Sequence, residues 1–183
     1  VTGELSFIEL AAGDEFIADG ETLTINDLST DSIDDAEDLN IVGVILSLSY
    51  TESEDTSGPT CGVASGSAAD DTITGTTMHG EYTETVSGSN GGSSGGHNVE
   101  SFWINTSIVD EVVVMSKAEI ISMIDADGAG LGSYSAEISV SAQAGQAPGP
   151  TCTRSDAGED VVYKIELVVF DYDIRPFFDL EEL

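Results

Sequence analysis

Apolar residues recur mainly at every second position along this chain. The strongest run spans residues 160–172, where Val161, Tyr163, Ile165, Leu167 and Val169 alternate with Val162, Lys164, Glu166, Val168 and Phe170. A period of two puts each set on one face of a strand, and the first set is wholly apolar. At Val168, Phe170 and Tyr172 the second face turns apolar too, so something must cover it there. Residues 39–50 repeat the pattern, with Val42, Val44, Leu46, Leu48 and Tyr50 on one face. Residues 133–142 do so with Tyr134, Ala136, Ile138, Val140 and Ala142 inward. Weaker alternation over 21–28, 72–77 and 81–86 predicts further strands, the last two as an exposed, Thr-rich hairpin. Residues 100–105, which carry Trp103, and 111–115 read as short apolar strands.

Residues 1–10 are extended, with Val1, Leu5 and Phe7 on one side and Gly3 as a small step between them. Ile8 and Leu10 slip to the other side, which predicts a bulge or a change of partner. The pattern then predicts a turn region over 11–20, an acidic loop over 29–38 and a polar loop over 51–71. It also predicts a flexible low-complexity loop over 87–97 and a second polar loop over 143–158. Ser116-Lys-Ala-Glu119 is a capping box and predicts the one short helix, through about Ile124. About eight strands with long loops and at most one short helix describe a single all-β domain over residues 1–183. Its expected form is a two-layer antiparallel β-sandwich, jelly-roll or Ig-like.

Charge narrows the setting. The chain holds 35 Asp plus Glu against 4 Lys plus Arg, a formal net charge of −31. Such a surface repels nucleic acid and anionic membranes, so no nucleic-acid partner is expected. It strains a compact fold unless cations screen or bind it, which points to a saline or calcium-containing environment. The acids are interspersed with Val, Ile and Leu, as on a solvated surface rather than a disordered tail. No run approaches the roughly 18 apolar residues of a membrane span. The sequence opens at Val1 rather than Met, from which we expect a removed leader or a trimmed anchor.

The two cysteines sit in matching contexts, Gly58-Pro-Thr-Cys61 and Gly149-Pro-Thr-Cys152, and neither belongs to a Cys-x-x-Cys pair. No zinc site is therefore expected, and a Cys61–Cys152 disulfide is, with an extracellular or cell-surface location. No catalytic motif stands out. His79 and His97 lie in Gly-rich, exposed-looking surroundings, and there is no Gly-x-Ser-x-Gly elbow. With so many carboxylates, no pair singles itself out for glycosidase chemistry. The expectation is a protein without enzymatic activity and without catalytic residues.

Structural Ca2+ is the one cofactor this composition suggests. Asp125-Ala-Asp127-Gly-Ala-Gly130 starts like an EF-hand loop, but Ala129 and Ala136 occupy two ligand positions. Asp125 with Asp127, and Asp171 with Asp173, are the candidate calcium ligands. Asp171 falls on the inward parity of its strand, where a cation or Arg175 should compensate it. Asn105-Thr-Ser is a glycosylation sequon. Trp103 is expected in the packed core in preference to a sugar platform.

The stretch from 133 to 172 pairs an alternating strand, a Gln143-Ala-Gly-Gln146 turn, a Pro-Gly loop, Asp156-Ala-Gly-Glu-Asp160 and a long last strand. It resembles the closing hairpin of jelly-roll modules in archaeal secreted surface proteins, and is similar to the subtilase-associated P-domain and to CUB-type sandwiches. The resemblance covers about a fifth of the chain. In architecture the chain resembles subunits of archaeal extracellular filaments and cannulae that are joined by donor strands. That likeness implies a secreted structural subunit whose partners are copies of itself in a heterologous homopolymer. Residues 1–10 would then be the donor, with Val1, Leu5 and Phe7 entering a neighbour beside Val168, Phe170 and Tyr172. Type IV pilins are excluded, because residues 1–10 are not the start of a long apolar helix. The alternative function is a carbohydrate-binding or adhesive ectodomain of an anchored surface protein, with surface glycans as partners.

Overall fold

A computed structural model describes residues 1–61, 67–111 and 113–176. Its long strands are β1 (Thr2–Ala18), β2 (Thr22–Ser29), β3 (Ile41–Thr51), β5 (Thr72–His79), β6 (Tyr82–Ser89), β7 (Ser94–Phe102), β8 (Ser133–Ser141) and β10 (Gly158–Asp173). Two short strands, β4 (Asp55–Ser57) and β9 (Thr153–Ser155), pair only with each other. Among the long strands, first pairs with last and so on inward: β1 with β10, β2 with β8, β3 with β7, β5 with β6. Folding that nested series over itself yields two antiparallel sheets, ordered β1-β10-β3-β7 and β2-β8-β5-β6. This is the jelly-roll order, and it differs from the arrangement of an Ig domain.

The alternating faces meet between the sheets as expected, except at Val42, which a register shift between β3 and β10 turns to the outer side of the first sheet. Val44, Leu46, Leu48 and Tyr50 of β3, with Val161, Ile165, Leu167 and Val169 of β10, pack against Ile73 of β5 and Tyr134, Ala136, Ile138 and Val140 of β8.

The second apolar face of β10 is covered from within the chain. The connection from β7 to β8 crosses the outer side of the first sheet and carries helix α1 (Lys117–Ile124). Ile108, Ile120, Ile124 and Ala126 pack there on Val42, Val168 and Phe170 as a second core. Val168 is 0% and Phe170 2% exposed, which corrects the expectation of open surface at Val168, Phe170 and Tyr172. Helix α1 has its expected capping box, with Glu119 N–H donating to Ser116 Oγ and Ser116 N–H to Glu119 Oε2. Ser116→Ala should lower stability by about 1 kcal/mol in urea unfolding.

Three local expectations are overturned. Residues 11–18 are not a turn: β1 runs on to Ala18, fully paired with β10, with one bulge between Glu9 and Ala11. That inserted residue breaks the alternation without breaking the strand, and Ile17 becomes core. Residues 87–97 are not a flexible loop, because β6 and β7 take up both ends and leave a turn at 90–93. Gly91 and Gly92 adopt φ of 60° and 68°, which a Cβ would resist. The described part of 111–115 forms no strand, with Val114 and Met115 exposed; Val112 lies outside the described residues.

Candidate functional site

Two features stand apart from ordinary packing: the outer edge formed by β1, and a convergence of carboxylates at one end of the sandwich.

At the edge, β1 uses one side of its backbone to pair with β10, and no strand among the described residues pairs with its other side. Leu5 is 44% and Phe7 52% exposed on the outer face, opposite Phe170 and Val168 in register. Gly3 lies under the Phe170 ring, in space that a Cβ would fill. Gly3, Leu5, Phe102, Val109 and Phe170 line a shallow apolar groove. The carbonyl of Val1 accepts from Asp110 N–H at 2.8 Å. Residues 1–10 therefore form the first strand of their own sandwich, and β10 is flanked on both sides by β1 and β3.

At the other feature, Glu52 follows β3, Asp71 precedes β5, Asp156 lies between β9 and β10, and Glu159 is the second residue of β10. One oxygen from each carboxylate lies within 4.8 Å of the others. Asp71 and Glu159 are completely buried. The buried Asn90, in the β6–β7 turn, organises the cluster. Its Oδ1 accepts from Asp71 N–H at 3.0 Å and Gly92 N–H at 2.9 Å. Its amide nitrogen is thereby aimed at Asp71 Oδ2 at 2.9 Å, Glu52 Oε2 at 3.2 Å and Glu159 Oε1 at 3.3 Å. Gln143 N–H donates to Asp71 Oδ1 at 2.6 Å, and Gly158 N–H to Asp156 Oδ1 at 3.1 Å. Glu159 Oε2 and Asp156 Oδ2 are buried without a hydrogen-bond partner.

The electrostatics follow from crowding. Burial, helped by hydrogen bonding to Asp71 and by the charges of Asp71, Glu52 and Asp156, pushes the Glu159 carboxyl up to about 9. Burial and the Asp71 charge also raise Glu52 and Asp156. Burial alone would raise Asp71 as well, but hydrogen bonds from Glu159, Gln143 N–H and Asn90 hold it below the usual range. The nearby Arg154 is committed elsewhere, forming a two-pronged pair with Glu54 at 2.6 and 2.9 Å.

The Cys61–Cys152 disulfide joins the two loops that frame this cluster, with Cα atoms 5.1 Å apart. Asn40 holds Asp125's neighbourhood in place, its Oδ1 accepting from Ala126 N–H at 2.8 Å. Asp125 accepts from Asp127 N–H at 2.9 Å and from Tyr172 OH at 2.7 Å. Asp171 is exposed, not inward, because β10 has passed the end of the main core there. Arg175 pairs with Asp173 at 2.6 Å instead of with Asp171. Neither candidate pair is among the carboxylates that converge. Asn105 is exposed beside a 3-10 turn, and its Oδ1 accepts from Ser107 N–H.

The histidines are structural. His79 is buried, stacked on Tyr134 at 4.0 Å, with its ring nitrogens facing the carbonyls of Ser133 and Ala129. His97 is half-buried and bonds Tyr50 OH and the Val86 carbonyl. Trp103 packs near His79 and Tyr82, and its Nε1 donates to the Ile41 carbonyl at 2.8 Å.

Sequence reasoning missed the convergent carboxylates because Glu52, Asp71 and the Asp156–Glu159 stretch are far apart in the chain, among 35 acids. The available signal was Asn90-Gly91-Gly92, a turn formed by a side chain that bonds backbone, between two alternating segments. No family model matches the chain, and no curated protein matches it. No helix among the described residues is long and apolar enough to cross a membrane.

Proposed function

We infer that this protein is a secreted, non-enzymatic structural subunit that assembles with copies of itself at the cell surface by exchange of the segment 1–9. The observation that carries this reading is the construction of β1. Its first half lies at a sheet edge, beyond a bulge at Leu10, and presents Leu5 and Phe7 to solvent. A long, partly apolar edge strand is an aggregation hazard for an isolated domain. The same segment makes a directional joint when it pairs with β10 of a neighbour. The hydrogen bonds and the register would be those already formed within one chain, so exchange sacrifices no pairing. Only the hinge must open, and the bulge is a ready place for it. Exchange in one direction, each chain giving its segment to the next, propagates into a filament, whereas reciprocal exchange between two chains would close as a two-fold dimer. The disulfide supports an oxidising compartment, and salt would relieve the repulsion between copies that each carry −31.

Cross-strand trapping tests it. Glu4 and Asp171 are register partners and both exposed, so Glu4→Cys with Asp171→Cys places two thiols opposite each other. Oxidation at high salt should give a ladder of covalent multimers on a non-reducing gel, with filaments under the electron microscope. A product that remains a cross-linked monomer at all concentrations would sink the reading. A glycan array on such monomers would then address the binding-module alternative.

A further inference from the structure

We propose that Glu52, Asp71, Asp156 and Glu159 form a calcium site that clamps the two sheets of the sandwich together at the end framed by the disulfide. The inference is independent of self-assembly. It begins with an imbalance of charge. Four carboxylates share one pocket, and Arg154, whose charge reaches Glu52, is already neutralised by Glu54. In a protein interior, like charges so close are costly unless an opposite charge sits among them.

The second observation is separate from the clustering. Glu159 is fully buried, yet its Oε2 has no donor, and Asp156 Oδ2 is also buried without one. Buried polar atoms of folded proteins are almost always satisfied, so two free acceptors on carboxylates of one cluster mark a place for a ligand that accepts lone pairs. A donor side chain could supply that role, but Asn90 has two amide hydrogens for three carboxylate acceptors and cannot serve the free ones.

The chemistry selects the ion. The donors are all oxygen, with no histidine or cysteine, which favours a hard cation over zinc or copper. Calcium binds oxygens at roughly 2.3–2.6 Å, so ligands on opposite sides of it lie roughly 4.6–5.2 Å apart. A mutual spacing of no more than 4.8 Å lets all four carboxylates reach one such ion. Calcium also accepts the irregular, flexible oxygen shell that separate chain segments provide, whereas magnesium demands a near-ideal octahedron. The ligands come from both sheets: Glu52 and Glu159 from the ends of β3 and β10, and Asp71 from the start of β5. An ion there would join chain ends that are otherwise held by Asn90 and the disulfide.

Calcium chloride is titrated calorimetrically into the chelator-treated full chain, in sodium chloride strong enough to saturate diffuse screening. The expected result is one saturable event per chain, together with a melting temperature that rises with calcium beyond matched salt. Glu159→Gln is the decisive variant, since it keeps the side-chain shape while replacing a carboxylate oxygen with an amide donor. It should abolish the saturable event and the calcium-dependent shift. In chelator it should melt no lower than the unmodified protein, because the amide keeps the shape of the carboxyl and adds no charge to the crowded pocket. In calcium the unmodified protein should melt higher. Asp31→Asn with Asp34→Asn, both in the exposed acidic loop, should leave the event intact. Absence of a saturable event in the unmodified protein would overturn the site, leaving a cluster in which Glu159 simply shares its proton with Asp71. So would an event of undiminished affinity in Glu159→Gln. If that variant fails to fold, the titration of the unmodified protein decides alone.

Discussion

Replacing Cys61 and Cys152 together with serine is expected to lower the free energy of unfolding by about 4–5 kcal/mol. The bridge closes a loop of sequence separation 91, so the unfolded chain regains a large loop-closure entropy when it is removed. The two loops also share contacts that would survive loss of the bridge: the short β4–β9 ribbon, a pairing of Ser67 with Gln146, a hydroxyl pair between Thr60 and Thr151, and the Glu54–Arg154 pair. Hydrogen bonds from Gln143 N–H to Asp71, Gly145 N–H to Glu54, Ser53 Oγ to the Gly158 carbonyl and Thr153 Oγ1 to the Ser57 carbonyl add to these. The serine at 152 would also stand where Cys152 is 4% exposed, adding a buried hydroxyl to the cost. Urea unfolding of the reduced unmodified protein should show the loss of the bridge alone, and the double variant a loss at least as large. A loss below about 1 kcal/mol in both would contradict the loop-entropy account.

Leu167→Ala is expected to cost about 2–5 kcal/mol. Leu167 is 0% exposed in the middle of β10, the strand that contacts β1 on one side and β3 on the other. Its register partners Ile8 and Val44 both pack into the same core, so the vacated space has rigid walls and cannot collapse cheaply. Leu5→Ala makes the informative contrast. Leu5 is already 44% exposed, and its truncation should lower the free energy of unfolding in urea by no more than about 0.5 kcal/mol. Under the exchange reading it should leave multimer formation little changed, because Leu5 faces the same neighbours within one chain and across the joint. Equal losses at Leu5 and Leu167 would mean that the outer face of β1 is buried in solution, contrary to the fold described above.

Much of this architecture follows from short-range pattern. Period-two alternation at 160–172, 39–50 and 133–142 requires strands with one apolar face, whatever the topology, because successive side chains of a strand point to opposite sides. The capping box at Ser116 is equally local, since both of its hydrogen bonds lie within four residues. The disulfide was legible because each cysteine carries the same Gly-Pro-Thr preface in a polar loop. Where one residue is inserted into a strand, as at Leu10, alternation fails as a guide although pairing continues, and residues 11–18 were misread for that reason. The Gly/Ser-rich composition of 87–97 hid two strand ends, since their pairing depends on neighbours and not on their own side chains.

The carboxylate centre belongs entirely to the tertiary level. Glu52, Asp71, Asp156 and Glu159 look like any other acids of a highly charged surface, and nothing within a few residues of each distinguishes them. They meet because first-with-last pairing of the strands brings the end of β3, the start of β5 and the start of β10 to the same end of the sandwich. Burial there is a property of the assembled sheets, and it is burial that turns four ordinary carboxylates into a charge that must be answered. The same holds for Val168 and Phe170, whose apolar character on the second face of β10 was plain from alternation. Whether another chain or the chain's own helix would cover them was decided only when the β7–β8 connection folded across that face, because a strand's pattern states which side must be hidden and leaves open what hides it.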